Sequence, residues 1–181
     1  MPPKITHMQE PFETPVLTAG DSLVLRPAEL DDAERFLNLA AANIERLSHA
    51  LGVWDPPKTV EDRRKLMAED LKSVQNGDRH WWMIESEGQL AGTIDIHRIH
   101  HRVRQGFVGY WLGAAFTGRG IMTRSLQAVI DWAFTERKLI RIQIQSSIEN
   151  RASCAVPERL GIRRESIRRQ SHIVKDQTLD M

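Results

Sequence analysis

Gly109–Phe134, GYWLGAAFTGRGIMTRSLQAVIDWAF, is the stretch on which the reading of this chain turns. It opens inside an aromatic-rich, strand-like run, Gln105–Leu112. It then passes through FTGRGIMT (Phe116–Thr123), where Gly118 and Gly120 flank Arg119. From Gly120 to about Lys138 it reads as a helix, with Met122, Leu126, Val129, Ile130 and Ala133 on one face. Glycines that let the backbone approach a ligand, a cation between them and a helix N-terminus behind them make a concavity of N–H groups suited to phosphate. The turn is not a P-loop, because no Gly-Lys-Ser/Thr follows a four-residue gap. Nor is it a dinucleotide fingerprint, since the third glycine is absent and the turn follows four strands. A plain strand-to-helix connection has the same local pattern, so the turn alone leaves both readings open.

Upstream, SLVLRP (Ser22–Pro27) alternates and stops at proline, a first strand. ELDDAERFLNLAAANIERL follows as one helix with acids in its opening turns, and Thr59 with Asp62 caps a second helix to about Gln75. HWWMIES and LAGTIDIHRI, joined by EGQ, form a hairpin. Downstream, IRIQIQSS alternates as a strand, and ENRASCAVPERLGI is a helix entered at Asn150 and ended at Gly161. ESIRRQSHIV reads as a last strand. The order β-α-α-β-β-β-α-β-α-β predicts an α/β (α+β) domain: a mixed sheet with helices on its faces.

The 181 residues suit one domain, read here as residues 21–181 after a loose leader, residues 1–20. A single cysteine, Cys154, excludes an internal disulfide framework and fits a reducing cytoplasm. No apolar run reaches the roughly 20 residues of a membrane helix. The net charge of +1 argues against a general nucleic-acid binder. The charge is unevenly spread, however. Residues 1–90 carry 10 Lys/Arg against 16 Asp/Glu, and residues 91–181 carry 15 against 8. An acidic half and a basic half suit a cationic ligand on one side and a polyanion on the other.

Taken together, GYWLGAAFTGRGIMTRSLQAVIDWAF and IQIQSSIENRASCAVPERLGI resemble the core of the GNAT acetyltransferase superfamily. The closer likeness is to the branch that acetylates N-termini of ribosomal proteins. The resemblance runs from about Ser22 to Asp176 and includes the HWWMIESEGQLAGTIDI hairpin. It implies a mostly antiparallel central sheet with two splayed strands, Gln105–Leu112 and Arg141–Ser146, that receive the pantetheine arm of acetyl-CoA. It also implies a pyrophosphate site at Gly118, Arg119, Gly120, Ile121, Met122 and Thr123, with Leu112, Gly113 and Asn150 nearby. A backbone N–H within Tyr110–Gly113 polarises the thioester in this scheme. Thr117 stands where the family's turn carries Gln or Arg, and its short hydroxyl cannot reach as they do.

For the chemistry, the acceptor amine must attack in its neutral form. An N-terminal amine, with a pKa of about 8, is about one-tenth neutral at pH 7, whereas lysine is almost wholly protonated. Catalysis then rests on positioning, a donor for the thioester oxygen and a route for protons. The resemblance assigns Ser153, three residues after the capping Asn150, as a catalytic hydroxyl. It puts His172 at the position of the family's strand-borne glutamate base, and histidine titrates near neutrality. Pro157 occupies the place of the tyrosine acid of many relatives. A proline there removes the helix bond to the Ser153 carbonyl, a loss of about 3 kcal/mol in a regular helix.

Trp54, between the first two helices, falls on the acceptor side in the family and is expected to contact substrate. HRIHHRVR holds three histidines without a fourth ligand, so no metal site is expected. Cys154 lacks a base at fixed spacing, which disfavours an acyl-enzyme. Relatives carry a further strand after the segment matching KDQTLDM, which leads to the expectation of a weakened sheet edge or an exchanged homodimer. The reading is an acetyltransferase that moves acetyl from acetyl-CoA to a primary amine, with a protein N-terminus as acceptor and with no metal, nucleic-acid or membrane partner expected. A small-amine acetyltransferase and a CoA-binding module without catalysis remain the alternatives.

Overall fold

The computed structural model describes residues 13–51, 57–174 and 177–181. A six-stranded sheet runs in spatial order β1 (Leu17–Thr18), β2 (Leu23–Pro27), β3 (His80–Ser86), β4 (Gln89–His100), β5 (Gln105–Leu112) and β6 (Arg141–Ile144). Every neighbouring pair is antiparallel except β5 and β6, which are parallel. Helices α1 (Ala33–Ala41), α2 (Ile44–Leu51) and α3 (Val60–Gln75) come before β3 in the chain. Helix α4 (Ile121–Thr135) joins β5 to β6, and α5 (Arg151–Arg159) follows β6. This is the mixed, mostly antiparallel sheet flanked by helices that the element order implies.

The near-continuous apolar run of β3 follows from its central place. Alternate side chains leave opposite faces of a strand, and both faces here are covered. Trp82 and Ile84 pack with Ile94, Ile96 and the α4 residues Leu126 and Val129. Trp81 and Met83 pack on the other side with Phe36 of α1 and Met67 of α3. The β3–β4 turn places Glu87 and Gly88 at φ 54° and 75°, the pair of positive angles that a two-residue type I′ hairpin needs.

Four elements differ from expectation. Leu17–Thr18 pairs with β2 as an edge strand within the stretch read as leader. The single helix expected over 29–47 is two, because Asn43 at the break turns its side chain to tertiary work. Its Nδ2 donates to the Leu39 carbonyl, and its Oδ1 accepts from the Ala114 amide at 2.7 Å. Strand β6 is four residues long, since Ile144 is the last residue in register with β5. The expected strand over 165–174 shrinks to β7 (His172–Val174), which pairs with β8 (Gln177–Leu179) in a separate two-stranded sheet. Among the described residues no strand pairs with the outer edge of β6.

Candidate active site

Strands β5 and β6 run together from Gln105↔Arg141 to Val108↔Ile144 and then part. Beyond that point β5 continues as Gly109–Leu112 with β4 on one side only. The Gly113 N–H donates to the Ala91 carbonyl at 2.8 Å. Antiparallel strands alternate the direction of their amides, so Trp111 and Gly113 face β4, while Tyr110 and Leu112 turn theirs toward the parted edge. A cleft of about 880 Å³ fills this opening. Its walls are the end of β5, the turn and first residues of α4, and the start of α5, with Arg46 and Leu47 of α2 and Leu179 of β8 at its margins.

The glycine turn forms one wall. Gly118 and Gly120 take φ 75° and 70°, angles that other residues adopt only under strain, and a Cβ at either would meet nothing within 4 Å. Their requirement is therefore backbone conformation, at a turn that lines the cleft. Helix α4 begins its hydrogen bonding with Arg124 N–H to the Gly120 carbonyl at 3.1 Å. The amides of Ile121, Met122 and Thr123 thus have no intrahelical acceptor and present the positive end of the helix dipole. The opposite wall is the start of α5. Asn150 Oδ1 accepts from the Ser153 N–H at 3.1 Å, which caps the helix and fixes Ser153 in its first turn. The Tyr110 hydroxyl crosses between the walls and donates to the Ser153 carbonyl at 2.9 Å. Burial raises the Tyr110 phenol above its usual pKa, with a further push from the Cys154 thiol.

The free amides of a helix start, a V-shaped opening in the sheet and a capped helix carrying a serine thus meet around one cleft. Residues 22–163 match the acetyltransferase (GNAT) domain family. The chain belongs to that family. It is 31% identical over 153 residues to the putative ribosomal N-acetyltransferase YdaF of Bacillus subtilis, covering 81% of this chain and 80% of that protein. It is 27% identical over 163 residues to the ribosomal-protein-serine acetyltransferase of Escherichia coli, covering 90% and 91%. Among solved structures, the RimL ribosomal L7/L12 alpha-N-protein acetyltransferase in complex with coenzyme A superposes with a TM-score of 0.84 at 26% identity, covering 92% and 94% of the two chains. This GNAT protein is an acetyl-CoA-dependent N-acetyltransferase.

Of the residues singled out in sequence, Leu112, Gly118, Gly120, Ile121, Met122, Thr123, Asn150 and Ser153 come together around the GNAT cleft. Gly113 sits behind the wall, tight against Leu39 and Asn43. Arg119 points away and pairs with Glu87 of the β3–β4 turn at 2.9 Å. Thr117 lines the cleft, but its hydroxyl donates to the Ala114 carbonyl at 2.8 Å, closing the short turn before the glycines. His172 is exposed on β7 and does not line the cleft, although its cross-strand partner Leu179 does. Trp54 lies outside the described residues.

Sequence reasoning did not single out Glu149, the one carboxylate lining the cleft among the described residues, or Arg46, which donates to the Leu112 carbonyl at 3.3 Å. Glu149 adjoins the capping Asn150, a position from which a side chain can enter the site, and that adjacency was its only sequence signal. Arg46 had none, because its approach depends on how α2 packs beside the end of β5.

Proposed function

We propose that this enzyme acetylates the N-terminal amine of a ribosomal protein in the cytoplasm, by direct attack of the amine on bound acetyl-CoA. The observation that carries the reading is the glycine turn opening onto the parted strands, with the capped Ser153 across from it. In this scheme the amides of Gly118 to Thr123 hold the pyrophosphate, and the parted edge of β5 receives the pantetheine arm. The amide of Leu112 or Tyr110 donates to the thioester oxygen as negative charge develops there. Glu149 attracts the cationic amine and accepts its proton, and Ser153 Oγ donates to the departing thiolate. Direct attack needs no acyl-enzyme, and an N-terminal amine demands little help to lose its proton. Names carried by the relatives favour a ribosomal acceptor over a small amine.

The test is mass spectrometry after incubating the protein with acetyl-CoA and a panel of ribosomal-protein N-terminal peptides, alongside spermidine. The expected product is a single acetyl group on the α-amine of one or a few peptides. Turnover confined to spermidine would replace the acceptor assignment. Acetyl-CoA binding with no turnover on any amine would favour a binding module.

A further inference from the structure

Helix α5 carries Pro157 in its interior, and proline has no N–H to give to the carbonyl four residues earlier. That carbonyl belongs to Ser153, and it accepts instead from the Tyr110 hydroxyl. The helix is otherwise bonded around the gap. Cys154 N–H reaches the Asn150 carbonyl at 3.0 Å, and Ile162 N–H closes onto the Pro157 carbonyl at 3.0 Å. Tyr110 stands two residues past Val108, where β5 last pairs with β6. Both Tyr110 and Ser153 line the cleft. The phenol therefore meets a helix carbonyl at the place where the sheet has stopped holding its two walls together.

We propose that Tyr110 is a positioning residue whose phenol replaces the backbone donor Pro157 removes, tying the end of β5 to the first turn of α5 and so setting the width of the cleft. The claim rests on the acetyl-CoA reading of that cleft. A strand side chain is a longer tether than a helix bond, so it fixes the distance between walls as well as satisfying the carbonyl. Residue 157 and residue 110 are then energetically coupled although they lie on different elements. Without the proline the carbonyl has a donor of its own, and the phenol becomes dispensable.

The experiment is a double-mutant cycle on the full chain with Tyr110→Phe and Pro157→Ala, read by calorimetric titration with acetyl-CoA and by thermal unfolding. Tyr110→Phe alone leaves a half-buried carbonyl without its protein donor and loosens the cleft, so acetyl-CoA affinity is expected to fall about tenfold and Tm to drop. In the Pro157→Ala background, where residue 157 has an amide, the same substitution is expected to change affinity by less than about twofold, with a smaller fall in Tm. Equal losses in both backgrounds would overturn the proposal, since the phenol would then act independently of the proline. No loss in either background would overturn it as well. A wild-type protein that folds but does not bind acetyl-CoA would remove the cofactor reading. The thermal cycle would still decide separately whether the phenol stands in for the missing amide.

Discussion

At the scale of single residues, polar groups divide into those buried to hold the fold and those that face the cleft. His80 belongs to the first set. Its Nδ1 lies 3.1 Å from the Thr14 hydroxyl, and its ring meets Trp132 edge-on at 4.7 Å. Burial, with the charges of Arg137 and His101 nearby, holds its pKa down at about 3. Its folded pKa lies below the ordinary value near 6.5, so the unfolded chain takes up the proton first. The contribution to stability is whole above about pH 6.5 and is lost as pH falls toward 3. A Tm-against-pH profile should therefore fall less steeply over that range in His80→Gln than in the wild type. Glu149 belongs to the second set. Glu149→Gln is expected to lower kcat for amine acetylation about a hundredfold while calorimetric affinity for acetyl-CoA holds within about twofold. A matching loss of affinity would make Glu149 a cofactor contact instead. The chemistry of both residues was written in their type; whether each was buried in the core or open to the cleft was not.

At the scale of elements, the sheet's closest approach falls where it forms the cleft wall. Gly92 of β4 lies opposite Leu112 of β5, and a Cβ there would stand 2.1 Å from the Trp111 carbonyl oxygen and 2.9 Å from the Leu112 Cα. Both atoms are backbone and cannot swing aside. Gly92→Ala is expected to cost at least about 2 kcal/mol in urea unfolding and to displace Leu112. Wild-type stability in that variant would mean the two strands separate freely at this point. Strand β3 was legible from residue type, because a strand buried on both faces needs apolar side chains on both, and β5 was legible from its aromatic residues. The break between α1 and α2 was not, since ELDDAERFLNLAAANIERL keeps helical periodicity through Asn43. The helix stops there because Asn43 serves the Ala114 amide, a partner 71 residues away.

At the scale of the whole molecule, the cleft joins surfaces from β5, α2, α4, α5 and β8. A ligand bound across them stabilises the folded state alone. Acetyl-CoA at a hundred times its Kd should add about 2.7 kcal/mol, raising Tm by about 5–10 °C for a chain of this size. A thermal-shift titration that shows no rise with a folded protein would argue against the cleft as its site. Among the described residues no helix is long and apolar enough to cross a membrane. Local chemistry determined much of this protein from sequence: the glycine turn, the caps at Thr59 and Asn150, the hairpin at Glu87–Gly88 and the apolar faces of the strands. Each depends on residues a few positions apart, whose φ angles, capping atoms or side-chain periodicity carry the signal. Tertiary structure alone decided where β6 leaves β5, that Arg119 turns to Glu87, and that Tyr110 meets the carbonyl left open by Pro157. Those outcomes join residues 32 and 43 positions apart, or hang on the register of two strands. Their energies come from packing and hydrogen bonds that exist only once the sheet has assembled.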